Sequence, residues 1–281
     1  MARRPFRSAP SFPVTEAAPH LRGFWNTDRI IGVQIAALLP PLGLAAVSSG
    51  VSLAGILGVA LVTAVAWQAA FARWRRLSFS ASGAVTALIV AVMVPATASL
   101  WQIALAVSFA LIIGEQIFGG YGRNFVHTAA LALAFLMFSF PDGGYDKAGI
   151  TGWAVVAPGG LALLALGFVN WRILAAAFIG ALTVLLAKGG MPAAGQMLAG
   201  SFAFGMVFLA GDPVSAPSTN GGRWLYGAAV GALAALGAAD GSFPARAVVF
   251  ACLIGGIFAP LVDQGAIWIN HQLRKRRHGR T

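Results

Sequence analysis

Charge is scarce in this sequence: only 10% of its 281 residues are Asp, Glu, Lys or Arg, against about 25% in soluble globular domains. So few charges cannot cover a water-facing surface, and a soluble enzyme is excluded. Acids are scarcer still, eight in all, so each one near an apolar run stands out. The single cysteine, Cys252, rules out an intrachain disulfide and cannot hold an iron–sulfur cluster alone. Metal-centre redox chemistry beside this chain would need ligands from elsewhere. No hydrolase-type pairing of nucleophile and base occurs. There is no secretory signal with a cleavage site, and the polar, Pro-containing first thirty residues read as a cytoplasmic lead-in.

Apolar residues are abundant, at 58% of the chain, and the mean hydropathy is +0.80. One core cannot hide that much apolar surface, so lipid must be part of the solvent. A bilayer crossing takes about 20 apolar residues. Ten such segments follow one another: about 30–48, 51–72, 80–95, 99–117, 124–140, 152–169, 171–188, 195–211, 222–239 and 244–265. The expected architecture is an all-α polytopic membrane protein. Residues 1–29 form a cytoplasmic segment, 30–270 the transmembrane domain and 271–281 a basic cytoplasmic tail.

The net charge of +11 is concentrated at the two ends and in short loops, not on one face. That distribution excludes a nucleic-acid surface, which needs a basic face on a folded domain. With ten spans and a cytoplasmic N-terminus, the inner loops carry Arg73, Arg75, Arg76, Arg123, Arg172 and Arg223, and both basic tails also fall inside. The outer connections keep only Lys147, Lys188 and Arg246. Sixteen of the nineteen cations then lie inside, as the positive-inside rule requires. Nine or eleven spans would strand one basic tail outside.

The third segment is rich in small residues and stops at Pro95; the eighth has the same character and stops at Asp212-Pro213. Paired Gly/Pro-interrupted segments at corresponding places suggest a 5+5 inverted repeat with a site between its halves.

Two stretches carry the chemistry. Phe118-Gly119-Gly120-Tyr121-Gly122-Arg123-Asn124-Phe125 joins the fourth and fifth segments. Its glycines permit positive φ and close approach to a planar ligand, while the next helix start, Arg123 and Asn124 offer donors for a phosphate or a ring edge. A tight cytoplasmic turn is the plainer reading. In Gly211-Asp212-Pro213-Val214-Ser215 an acid sits at a membrane-embedded helix end, which is costly unless the charge is paired or hydrated. A cation or cofactor site and a helix cap both remain open. Glu115 and Asp263 lie in or beside apolar runs as further ion-pathway candidates; Glu115 could instead pair with Arg123, and Asp263 could be hydrated at its helix exit. His127, one turn into the fifth segment, suits a helix–helix or ligand hydrogen bond better than a metal, having no second ligand in view.

At these residues the chain resembles the NqrB/RnfD family, which contains the B subunit of the Na⁺-translocating NADH:quinone oxidoreductase and the D subunit of Rnf-type complexes. The matching text includes Ala18-Pro-His-Leu-Arg22, Ser82-Gly-Ala-Val-Thr-Ala-Leu88, Leu100-Trp-Gln102, the Phe118–Phe125 loop, Trp171-Arg-Ile173, the run from Phe202 to Ala216 and Ala259-Pro-Leu-Val-Asp263. The resemblance implies a urea-transporter-like fold in the bacterial cytoplasmic membrane. It implies flavins passing electrons through that membrane between redox subunits. It places a non-covalent flavin, riboflavin or another, at Gly119, Gly120, Gly122, Arg123, Asn124 and His127, with Asp212 and Ser215 as further cofactor-binding residues, and gives Asp212 and Asp263 roles in cation handling. FMN would be attached through a phosphodiester to Thr151, at the site of the family's Asp-Gly-Xaa-Ser-Gly-Ala-Thr motif. The text here, Asp146-Lys-Ala-Gly-Ile-Thr151, is a residue short and lacks the serine. A second alignment lets this segment open the sixth helix and omits the attachment site. Ser82 stands where the B subunits have a glutamate.

The expected function is a flavin-binding membrane subunit of an NADH:quinone oxidoreductase or Rnf-type assembly, coupled to Na⁺ or H⁺ movement and inactive alone. Its expected partners are the other subunits, a flavin transferase and quinone. A flavin-free conductor of small solutes and a plain membrane anchor for redox partners are the alternatives.

Overall fold

The computed structural model describes residues 25–76, 78–145, 153–188, 201–237 and 245–278. Every regular element among them is helical. Ten helices coincide in order with the ten apolar segments: α1 (Thr27–Ser49), α2 (Val51–Arg75), α3 (Ser82–Met93), α4 (Leu100–Phe109), α5 (Thr128–Ser139), α6 (Trp153–Ala165), α7 (Trp171–Ala187), α8 (Ser201–Gly205), α9 (Asn220–Leu236) and α10 (Ala245–His278). The chain is an integral multi-pass membrane protein.

Local signals set the ends. Asn26 caps α1, its Oδ1 accepting from the Thr27 N–H at 2.7 Å. Gly50, at φ 54°, makes the tight turn into α2, and Arg76 in the left-handed region closes α2. Asn170 and Thr219 cap α7 and α9 through their side-chain oxygens.

Length is where the helices depart from simple spans. Only α1, α2 and residues 245–272 of α10 are long and apolar enough to cross a membrane alone, among the described residues. The twelve residues of α3 rise only about 18 Å, short of a hydrocarbon core near 30 Å. Eleven of those residues are buried, so α3 runs inside the protein, where surrounding helices can satisfy its broken ends. Two helices change pitch before they unwind. α4 continues as a π-helix over Ala110–Gln116, and α8 continues as one over Met206–Ala210. Such π stretches concentrate at functional sites.

The packing repeats. Within the first half α2 lies against α3 and α4, α4 against α5, and α3 against α5; within the second, α7 lies against α9, α9 against α10, and α8 against α10. Across the boundary α1 packs on α6 and α5 on α10. The second half thus reuses the helix pairings of the first. The lipid-facing apolar residues gain nothing from mutual burial, so close van der Waals contact must hold the helices together. Gly180 and Gly231 do this where α7 crosses α9: a Cβ on either would fall on the carbonyl of Ala228 or Ala177. Gly159 of α6 lies likewise against the Ala37 carbonyl of α1, an oxygen that Pro41, lacking an N–H, cannot serve.

At one end Trp25 packs edge-on against Phe168 at 4.9 Å, and Trp171 against Trp224 at 5.8 Å. These contacts draw the α1 start, the α6–α7 turn and the α9 start together. At the other end the Lys188 ammonium donates to the Ala235 and Leu236 carbonyls that finish α9.

Candidate functional site

The glycine loop is folded by its own side chains. Gly119, Gly120 and Gly122 all take positive φ, between 89° and 109°, a region closed to most side chains. Asn124 is buried and braces the turn: its Oδ1 accepts from the Gly122 N–H at 3.2 Å, and its Nδ2 donates to the Val126 carbonyl at 3.0 Å. Its amide therefore shapes the loop, and the loop's face is left to glycine backbone and Tyr121. Arg123 is exposed, its side chain lying over Gly119 where a Cβ would stand 3.0 Å from it. It does not pair with Glu115.

His127 is the N-cap of α5, not a residue one turn inside it. The helix starts at Thr128, and His127 Nδ1 accepts from the Ala130 N–H at 3.3 Å. An acceptor Nδ1 leaves the neutral ring its proton on Nε2.

Asp212 is 6% exposed and lies two residues past the second π stretch. Its Oδ2 accepts from the Val214 N–H at 3.3 Å and from both the N–H and Oγ of Ser215 at 3.0 Å. Gln34 of α1 donates to Oδ1 at 3.5 Å, and the Tyr121 hydroxyl donates to Gln34 Oε1 at 3.4 Å. A side-chain chain thus runs from the glycine loop through α1 to the Asp-Pro turn, linking the halves. No Lys or Arg pairs with Asp212 among the described residues.

Asp263 has a different setting. From α10 it accepts four hydrogen bonds, from the N–H and Oγ of Ser218 at 2.7 and 3.0 Å, the N–H of Thr219 at 3.0 Å and the Thr219 hydroxyl. Both its oxygens are engaged in fastening the Asp-Pro loop and the α9 cap to α10. Arg223 adds a bond from Nε to the Pro217 carbonyl at 3.0 Å.

Glu115, 1% exposed, lies in the first π stretch. Ser82 Oγ, at the start of α3, donates to its Oε1 at 2.8 Å. Gln68 of α2 is bonded to that same Ser82 hydroxyl at 2.7 Å. Sequence reasoning missed Gln34 and Gln68; an amide in the middle of an apolar helix was the available signal.

Beside the glycine loop opens a cleft of about 740 Å³. Trp25, Phe71, Phe79 and Tyr121 supply aromatic walls, Gly119 and Gly120 bare backbone, and Gln68, Gln116 and Arg75 polar groups. Between the halves, by contrast, the gap among Gln34, Val85, Ile89, His127, Phe208 and Pro213 is about 20 Å³, room for roughly one water. Thr151 lies outside the described residues. No group of three or more His, Cys, Asp or Glu side chains suited to a metal occurs among the described residues.

A family model described as "NQR2, RnfD, RnfE family" matches residues 14–157 and 144–268. Among curated relatives, the B subunit of the Na(+)-translocating NADH-quinone reductase of Ectopseudomonas mendocina is 31% identical over 267 residues, covering 75% of this chain and 66% of the relative. That of Pseudomonas aeruginosa is 31% identical over 268 residues, with 76% and 66% covered, and that of Yersinia pestis 30% over 270, with 75% and 65%. The chain spans just under two thirds of the length of these relatives.

Proposed function

The chain belongs to the NQR2, RnfD, RnfE family, and from that membership we propose that it is a flavin-binding membrane subunit of an Nqr- or Rnf-type electron-transfer complex. The cleft beside the glycine loop carries this reading. Its volume of about 740 Å³ is that of a small-molecule site, and aromatic and polar side chains line it in similar measure. A planar isoalloxazine suits it: Trp25, Phe71, Phe79 and Tyr121 offer ring faces and edges. Gly119 and Gly120, at φ 109° and 98°, let backbone come within reach of the ring edge, and the Gln68 and Gln116 amides can match its carbonyls and nitrogens. Arg75 at the rim can take a ribityl phosphate.

A flavin bound there supplies reversible one- and two-electron redox chemistry. The residues of the chain would hold the ring at a fixed depth beside the glycine loop. Thr151, as a covalent FMN anchor on the opposite side, would provide the second station. The relatives' names support an NADH-quinone reductase assembly, and with it other subunits, a flavin transferase and quinone as partners. The basic loops and tails support a cytoplasmic placement of both termini. The tight seam between the halves counts against a solute conductor.

The test is flavin content. Protein purified from membranes of a host with the matching flavin transferase should release flavin on acid denaturation and keep a fluorescent band on a denaturing gel. The band should vanish in Thr151→Val. Colourless protein with no band would remove the flavin reading.

A further inference from the structure

Three carboxylates in or beside the apolar helices show three different hydrogen-bond patterns. Asp263 accepts two bonds on each oxygen. Asp212 accepts three on Oδ2 and one on Oδ1. Both are arranged as ionised carboxylates, whose two oxygens are acceptors only. Glu115 is different. The bonds it accepts from described residues, from Ser82 Oγ at 2.8 Å and Gln116 Nε2 at 3.4 Å, both fall on Oε1. The Gln68 amide and the Thr128 hydroxyl also stand beside the carboxyl, but it is 1% exposed and no Lys or Arg pairs with it among the described residues. A buried charge without a counter-ion is costly even where donors reach it, and the neutral acid avoids that cost.

We propose that Glu115 is a proton-binding site, taking up and releasing a proton through the cleft beside the glycine loop, so that the ion this chain handles there is H⁺ and not Na⁺. Glu115 lines that cleft together with Gln68, Gln116, Ser80 and Gly119, which gives water a route to a side chain otherwise shut off. The charged and titratable groups around it do not neutralise a carboxylate. α1 contributes Asp28 and α2 contributes Arg75, both at the cleft wall; the glycine loop contributes Tyr121 and the exposed Arg123; α5 contributes His127, which caps its helix; and the 211–219 loop contributes a second acid, Asp212. From α3 comes only the hydroxyl of Ser82. A hard cation needs about six oxygen ligands. Around Glu115 the hydroxyl of Ser82 and the amide of Gln116 both turn hydrogens rather than oxygens toward the carboxyl, which leaves a metal ion too few ligands.

This deepens the reading above by naming the ion, and rests on it only for the proton's purpose. Dicyclohexylcarbodiimide, an apolar reagent, adds to protonated carboxyls inside membranes. The full chain in its native membranes is treated across pH 6–9, digested and mapped by mass spectrometry, with flavin measured on the same sample. The expected result is an adduct on Glu115 that is lost as pH rises, is unaffected by saturating Na⁺, and disappears in Glu115→Gln. Protection by Na⁺ would overturn the proposal, as would no adduct at any pH or one whose yield ignores pH. Because the wild-type pH profile is site-resolved, the result stands even if the variant fails to fold. A labelled but colourless chain would sink the flavin reading alone.

Discussion

The crossing of α7 and α9 allows a clean test of what holds the helices together. A Cβ on Gly231 would fall on the Ala177 carbonyl, and one on Gly180 on that of Ala228, backbone atoms that cannot move aside like a side-chain tip. Gly58 of α2, also helical, would meet nothing within 4 Å. Any Gly→Ala change inside a helix gains up to about 1 kcal/mol of intrinsic propensity, so that term cancels between Gly231→Ala and Gly58→Ala. What remains is overpacking, about 1–3 kcal/mol, or roughly 2–12 °C at the 2–4 °C per kcal/mol usual for larger domains. The two interface glycines are close neighbours, so the double variant need not add. Thermal unfolding in mild detergent, followed by size exclusion of the surviving monomer, measures the difference. Equal midpoints for Gly231→Ala and Gly58→Ala would refute close backbone packing as the source of stability here.

Other variants separate the acids. Asp212→Ala should destabilise by more than Asp263→Ala, because it strands the buried Ser215 N–H and hydroxyl, each costing about 1–3 kcal/mol; the same thermal assay reads this, and the reverse order would contradict the assignment. Asp263→Ala should cost about 1 kcal/mol, as loss of a helix cap does, and should speed proteolysis within 211–219. Asn124→Ala should lower flavin retention by loosening the Gly122 turn, although the side chain is turned into its own loop. Reporter fusions should place both chain ends on the same, cytoplasmic side, and opposite sides would break the five-plus-five arrangement.

Ten apolar runs were legible because lipid imposes a minimum length on each, and they match the helices in order. Pro95 and Asp212-Pro213 marked the ends of the two short buried helices for the same reason: a helix can break in a membrane only where protein covers the break. The π stretches were not legible, since a shift from four- to five-residue bonding leaves no trace in apolar text such as Ala110–Gln116. Nor was the pairing of Glu115 with Ser82, thirty-three residues apart, or that of Gln34 with Asp212 across the halves. Both depend on which helices meet, and a hydropathy pattern does not encode that. Glu115 and Arg123, eight positions apart, looked like partners only because the loop's reversal at its positive-φ glycines was hidden.

The most direct test of the flavin cradle is the molar ratio of non-covalent flavin to chain, released by acid from purified protein. A ratio near one is expected, falling sharply in Ala72→Trp, which fills the cleft wall while leaving the helix contacts of α7 and α9 intact. No released flavin in the wild-type chain, or an undiminished ratio in a folded Ala72→Trp chain, would contradict the placement of a flavin beside Gly119 and Gly120.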